Sequence, residues 1–139
     1  MIRRLLCAAA VAAAAGPGAA ASDPLQAAWE AAGPGTGGLV SDDELAQLNV
    51  IAYHGAVASL CEGYALDEAQ VATATNAVLQ DVPEGMAAEQ QLQRHVDVLI
   101  ALGTARGLFL AEGALGGERF CAAAKETRDA PDFDDFWKD

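Results

Sequence analysis

Basic residues are missing from a long stretch of the chain: from Leu5 to Gln93 there is neither lysine nor arginine. Nucleic acids and anionic bilayers are held by basic faces, so this stretch excludes both as partners. Aromatic residues make up only 6% of the chain, and nowhere do apolar and polar residues alternate over six positions, which leaves β-strands without support. The longest unbroken apolar run, Leu5 to Ala15, falls short of the roughly 20 residues a membrane-spanning helix needs. Histidine is scarce as well. His54 and His95 lie on separate segments without a cysteine or carboxylate at metal-ligand spacing, and Asp97, two residues from His95, points elsewhere on a helix. No CxxC pair, haem-attachment CxxCH or carboxylate dyad in a known motif occurs. The glycine run Gly33 to Gly38 has no strand before it and no GK[ST] after it, so it reads as a flexible joint and not a phosphate loop. Nucleophilic catalysis would need Ser59 or a free cysteine beside a base, and His54 sits two helical turns, about 10 Å, from Cys61. The chain therefore offers no catalytic residue, no metal ligands and no cofactor site.

What is present points outward from the cytoplasm. Arg3 and Arg4 precede the short apolar run, Gly16-Pro17-Gly18 breaks it, and Ala19-Ala20-Ala21 supplies small residues at a cleavage point, so residues 1–21 read as a secretory signal peptide. Cys7 stands before the apolar run, the wrong order for a lipoprotein. The expected location is periplasmic or secreted, with no stable membrane insertion once the signal is removed. Cleavage leaves two cysteines, Cys61 and Cys121, and in an oxidising compartment an even pair is expected to be bonded. The closed loop would constrain the unfolded chain by about 4 kcal/mol. Cleavage also leaves 6 basic against 20 acidic residues, a net charge of 6 − 20 = −14.

Helical patterning dominates the remainder, and the predicted fold class is all-α: a small bundle of four to five helices with one long central helix, stapled by one disulfide. Residues 22–40 read as a short helix beginning at Asp23-Pro24 and the Gly/Pro joint. The bundle domain spans 41–130. Ser41 and Glu44 have the spacing of a capping box for a helix running to about Cys61 or Glu62, closed by Gly63. Asp67 caps a helix over Glu68 to Gln80, ended by Pro83. From about Met86 to Glu112 a long helix aligns Leu92, Val96, Leu99, Gly103 and Leu110, with Val98, Ala101, Leu102, Ala105 and Phe109 widening the apolar face. After a turn over Gly113 to Gly117, the last helix runs from Glu118 to about Arg128. Residues 131–139 form an acidic-aromatic tail in which Phe133, Phe136 and Trp137 are candidates for contact with a partner or for docking on the body.

Two runs, IAYHGAVASLC (Ile51 to Cys61) and FCAAAKE (Phe120 to Glu126), give a layout that resembles small exported two-cysteine helical proteins of proteobacteria that have no assigned function. The CEGY run, Cys61 to Tyr64, is similar to the segment around the first cysteine of HdeA-type acid-stress periplasmic chaperones, whose helical body is also held by one disulfide. With an export signal and no catalytic constellation, the chain is expected to be an exported, non-catalytic envelope accessory or protein-interaction module whose partner is another protein. The likeness to the HdeA type implies an acid-conditional chaperone as the alternative, and a small exported enzyme ranks third.

Overall fold

The computed structural model describes residues 38–128 and 136–138, which form four helices. These are α1 (Asp42–Leu60), α2 (Glu68–Gln80), α3 (Ala88–Gly116) and α4 (Glu118–Arg128). The expected signal segment, the short helix expected at Asp23-Pro24 and Phe133 lie outside the described residues.

The helix starts follow from local chemistry. At α1 the Glu44 amide donates to Ser41 Oγ at 3.3 Å while Glu44 Oε2 accepts from the Ser41 amide at 2.7 Å, so the capping box is complete. At α2 Asp67 Oδ1 accepts from the amides of Ala69 and Gln70. Hydrogen bonds to the Gln70 amide, above all, hold the exposed Asp67 carboxyl below its ordinary range; the side chain and amide contacts to Gln70 and Ala69 and the nearby Lys138 act in the same sense. α3 has no side-chain cap of that kind; Gln90 Oε1 accepts from the Ala87 amide at 3.3 Å. Glycine closes two of the connections, Gly63 at φ 83° and Gly117 at φ 52°, where a side chain would be strained.

The long helix differs from its sequence expectation in two respects. It runs through Gly113 to Gly116, a turn further than its glycines suggest, because Gly113 is a buried contact and not a stop. An added Cβ there would overlap Leu60 Cδ1 and press on the Phe120 ring at 3.0 Å. Its buried face is also only part of the expected one. Val98, Ala101 and Ala105, expected to widen the apolar face, turn inward together with Arg94 and Asp97, whereas Leu92, Val96 and Leu99 of the expected central line are exposed. The inward face is the smaller of the two, and it meets the equally small face of α1, with Ala52, Gly55 and Ala56, so the backbones approach closely.

α1 and α3 form the principal pair, and two apolar clusters lie along α1. Near its start, Val40, Leu48, Val78, Val98 and Ala101 join α1, α2 and α3. Near its end, Ala56, Val57, Cys61, Phe120, Ala124 and Trp137 join α1, α4 and the C-terminal residues. Cys61 and Cys121 are bonded, with Cα atoms 5.5 Å apart, and they fasten the second cluster covalently.

Candidate functional site

The candidate residues that fall among the described ones each have a definite place. Ser59 Oγ donates to the Gly55 carbonyl at 2.7 Å, and Arg106 Nη2 reaches Ser59 Oγ at 3.5 Å across the space that Gly55 leaves. His95 Nδ1 faces the Gln91 carbonyl of its own helix at 3.2 Å. His54 is buried, and its Nδ1 lies 2.8 Å from the Val50 carbonyl, an acceptor that places the proton on Nδ1. Among the described residues no group of three His, Cys, Asp or Glu side chains is placed to hold a metal ion.

The C-terminal tail meets the body at this histidine. The His54 ring lies 5.1 Å from Phe136 and 4.6 Å from Trp137, with Tyr64 4.8 Å from Trp137 on another side. Residues 136–138 pair antiparallel with the loop between α1 and α2. The Asp67 amide donates to Phe136 O at 2.7 Å, and the Lys138 amide donates to Ala65 O at 2.8 Å. Trp137 is 6% exposed and belongs to the second cluster. Of the three aromatic residues considered for partner contact, Trp137 is therefore enclosed by the body and Phe136 is half-buried against it.

A polar site joins three helices at the other end. The Arg94 guanidinium, fully buried on α3, pairs with Glu44 Oε1 of α1 and donates to the carbonyls of Val78 at 2.8 Å and Leu79 at 3.3 Å at the end of α2. Burial alone would raise the Glu44 carboxyl, but the Ser41 amide and hydroxyl and the Arg94 charge outweigh it, and the carboxyl is held below its ordinary range. Arg94 also supplies positive charge and donors where the last carbonyls of α2 lack helical partners. The Glu44–Arg94 pair was not legible in sequence. The two residues lie 50 positions apart, and the only hint is that Arg94 is the first lysine or arginine after Arg4.

Among the described residues, most of the exposed bulky apolar side chains gather on one helix. On α3, Leu92 (68% exposed), Val96 (43%), Leu99 (56%) and Ile100 (52%) share the face opposite the buried one. Gly103, Gly107, Leu110 and Ala114 continue that face, with the exposed Arg106 at its edge, seven residues after Leu99. By length and composition alone α3 is apolar enough to cross a membrane, and only 22% of its apolar window is buried. A helix apolar on both faces normally has a neighbour on each.

Fold and bridge together define the class: a small, acidic, all-α protein whose helices are stapled by one disulfide, the bond being the mark of an oxidising compartment. No family model, curated protein or solved structure matches the chain.

Proposed function

We propose that this is an exported, non-catalytic helical protein that acts by protein–protein contact, as an accessory or interaction module of the cell envelope, and that the exposed face of α3 is its contact surface. The observation that carries this reading is the run of bulky apolar side chains, Leu92, Val96, Leu99 and Ile100, on a helix already packed on its other side. The docked Trp137 supports α3 over the tail as that surface. A photo-crosslinking residue at Val96 tests it in the host, with Asn76 on α2 as control. Protein adducts at Val96 that disappear with Leu99→Glu are expected; lipid adducts alone, or the same adducts at both positions, would refute it.

A second reading is favoured by the Glu44–Arg94 pair: an acid-conditional chaperone, as the likeness to the HdeA type implies. Protonating Glu44 leaves Arg94 buried without its counter-charge, which loosens the contact of α1, α2 and α3 while the disulfide limits unfolding. Suppression of client aggregation at low pH, absent at neutral pH, is the expected signature, and an acid-stable protein with no such effect would remove this reading.

A further inference from the structure

The bulky face of α3 begins at an end of the molecule that, among the described residues, has no free lysine or arginine. The Glu44–Arg94 pair and the Leu79 carbonyl bring together there the start of α1, the end of α2 and the first turns of α3. Asp42 and Asp43 open α1, Asp81 follows α2, and Glu84 and Glu89 flank the start of α3, all five exposed. From Gly38 to Ala105 the only lysine or arginine is Arg94, which is buried and spent on Glu44. On α3 itself Glu89, Leu92, Val96, Leu99 and Gly103 follow one another at spacings of three and four, so a carboxylate heads an apolar seam of the kind one helix offers another. Gly103 leaves that seam open, because a Cβ added there would meet nothing within 4 Å and a partner's side chain can enter.

We infer that this face takes an amphipathic helix of another protein, one whose apolar stripe is bordered by lysine or arginine. The inference rests on the reading of α3 as the contact surface and names the chemistry of its occupant. Charge decides among the occupants. Residues 22–37 contain Asp23 and Glu30 and no basic residue, and a second copy of the chain, without its expected signal segment, brings a net charge of 6 − 20 = −14, so both add negative charge to an acidic end. A basic helix instead neutralises Glu84 and Glu89 with its own cations while its apolar stripe covers Leu92, Val96 and Leu99. Apolar burial supplies most of the affinity. The charges supply approach and direction, because the seam is acidic at one end and passes the exposed Arg106 at the other.

Two synthetic helical peptides of about 18 residues with the same leucine stripe, one bordered by lysine and the other by glutamate, serve as probes. Their binding to the chain from Ser22 is read by fluorescence anisotropy. The lysine peptide should bind at about 50 mM sodium chloride with a dissociation constant in the micromolar range and weaken about tenfold at about 500 mM, and the glutamate peptide should not bind. Leu99→Glu separates docking on the seam from general attraction. It adds a negative charge, which would strengthen a purely electrostatic contact, yet in the seam it should weaken the lysine peptide about tenfold with the helical circular dichroism unchanged. Leu92→Glu, at a more exposed position still, should do the same. Glu84→Gln with Glu89→Gln should weaken binding about fivefold, whereas Glu62→Gln with Glu68→Gln, the same loss of charge at the other end of α2, should leave it unchanged. No binding of the lysine peptide, equal binding of both peptides, tighter binding by Leu99→Glu, or equal losses from the two glutamate pairs would each overturn the inference. So would a chain that is dimeric by sedimentation and binds the peptide only as it dissociates, which would make a second copy the occupant, or one whose affinity for the peptide rises when residues 22–37 are deleted, which would make that segment the occupant. The protein crosslinked from Val96 in the host gives a separate check. A crosslinked stretch with lysine or arginine beside its apolar positions supports the inference, and one without them overturns the charge assignment alone and leaves the contact-surface reading standing.

Discussion

Glu44 is asked to do two things at once, closing the first turn of α1 and neutralising a guanidinium that has no access to water. Its folded carboxyl sits below the ordinary range, so the stability it contributes is fully present above the unfolded value and is lost as pH falls through the folded one. Glu44→Gln keeps the cap acceptor but removes the charge, and should cost about 2 kcal/mol at pH 7 by leaving Arg94 uncompensated. Because acid neutralises the wild-type side chain as well, the difference should shrink near pH 3. Urea midpoints at the two pH values measure this, and an equal gap at both would show that the charge contributes nothing. Gly113 offers a second residue-scale test. Alanine is the better helix former by about 1 kcal/mol, so Gly107→Ala, with open space around the new methyl, should raise the melting temperature. Gly113→Ala should lower it by overpacking the Phe120 ring, at a net cost of about 1 kcal/mol, since Leu60 is flexible but the buried ring is not.

At the scale of elements, the C-terminal residues behave as a short strap and not a free arm. Trp137 fills the second cluster between His54 and Tyr64, and the backbone on either side of it bonds to the α1–α2 loop. Trp137→Ala should therefore cost about 3 kcal/mol, and deletion of Pro131 to Asp139 should lower the melting temperature comparably; an unchanged melting curve for the deletion would show the strap to be dispensable. The helix termini were legible in sequence because each depends on a few neighbouring residues: Ser41 with Glu44, Asp67 with Ala69 and Gln70, the glycines after α1 and α3. The bridge was legible as well, from the count of cysteines outside the expected signal segment. The facing of α3 was not. Its apolar residues encircle the helix, so periodicity could not choose between the line of Leu92, Val96 and Leu99 and that of Val98, Ala101 and Ala105. Close approach to the small face of α1 decided it, and that depends on two helices together. The destination of the tail was equally hidden, because Trp137 finds its neighbours through contacts 73 and 83 positions away, at Tyr64 and His54.

The whole molecule divides into two halves that share α1 and differ in what acid can undo. The half at the start of α1 is drawn together by Val40, Leu48, Val78, Val98 and Ala101 around the Glu44–Arg94 pair, and α2 enters it through a cap made by Asp67, another carboxyl held below its ordinary range. Both carboxyls lose their contribution as pH falls, so this half weakens in acid. The half at the end of α1 contains the buried His54 against Trp137, but the Cys61–Cys121 bond fastens α1 to α4 there and keeps Phe120 between them in acid. Acid should therefore open the molecule from one end. At pH 3 the backbone amides of α2 and of the first turns of α1 should lose protection from hydrogen exchange while those around Cys61 and Phe120 keep it, with a hydrophobic dye binding the exposed first cluster. The bridge sets how far this goes, because it removes about 4 kcal/mol of disorder from the unfolded chain. With both cysteines replaced by serine the second half has no covalent restraint, and the same acid step should unfold the whole chain, with loss of far-ultraviolet circular dichroism that the bridged protein retains. Simultaneous loss of protection in both halves of the bridged protein would mean that α1 transmits the acid signal along its length, and that the Glu44–Arg94 pair governs the stability of the entire bundle and not of one end.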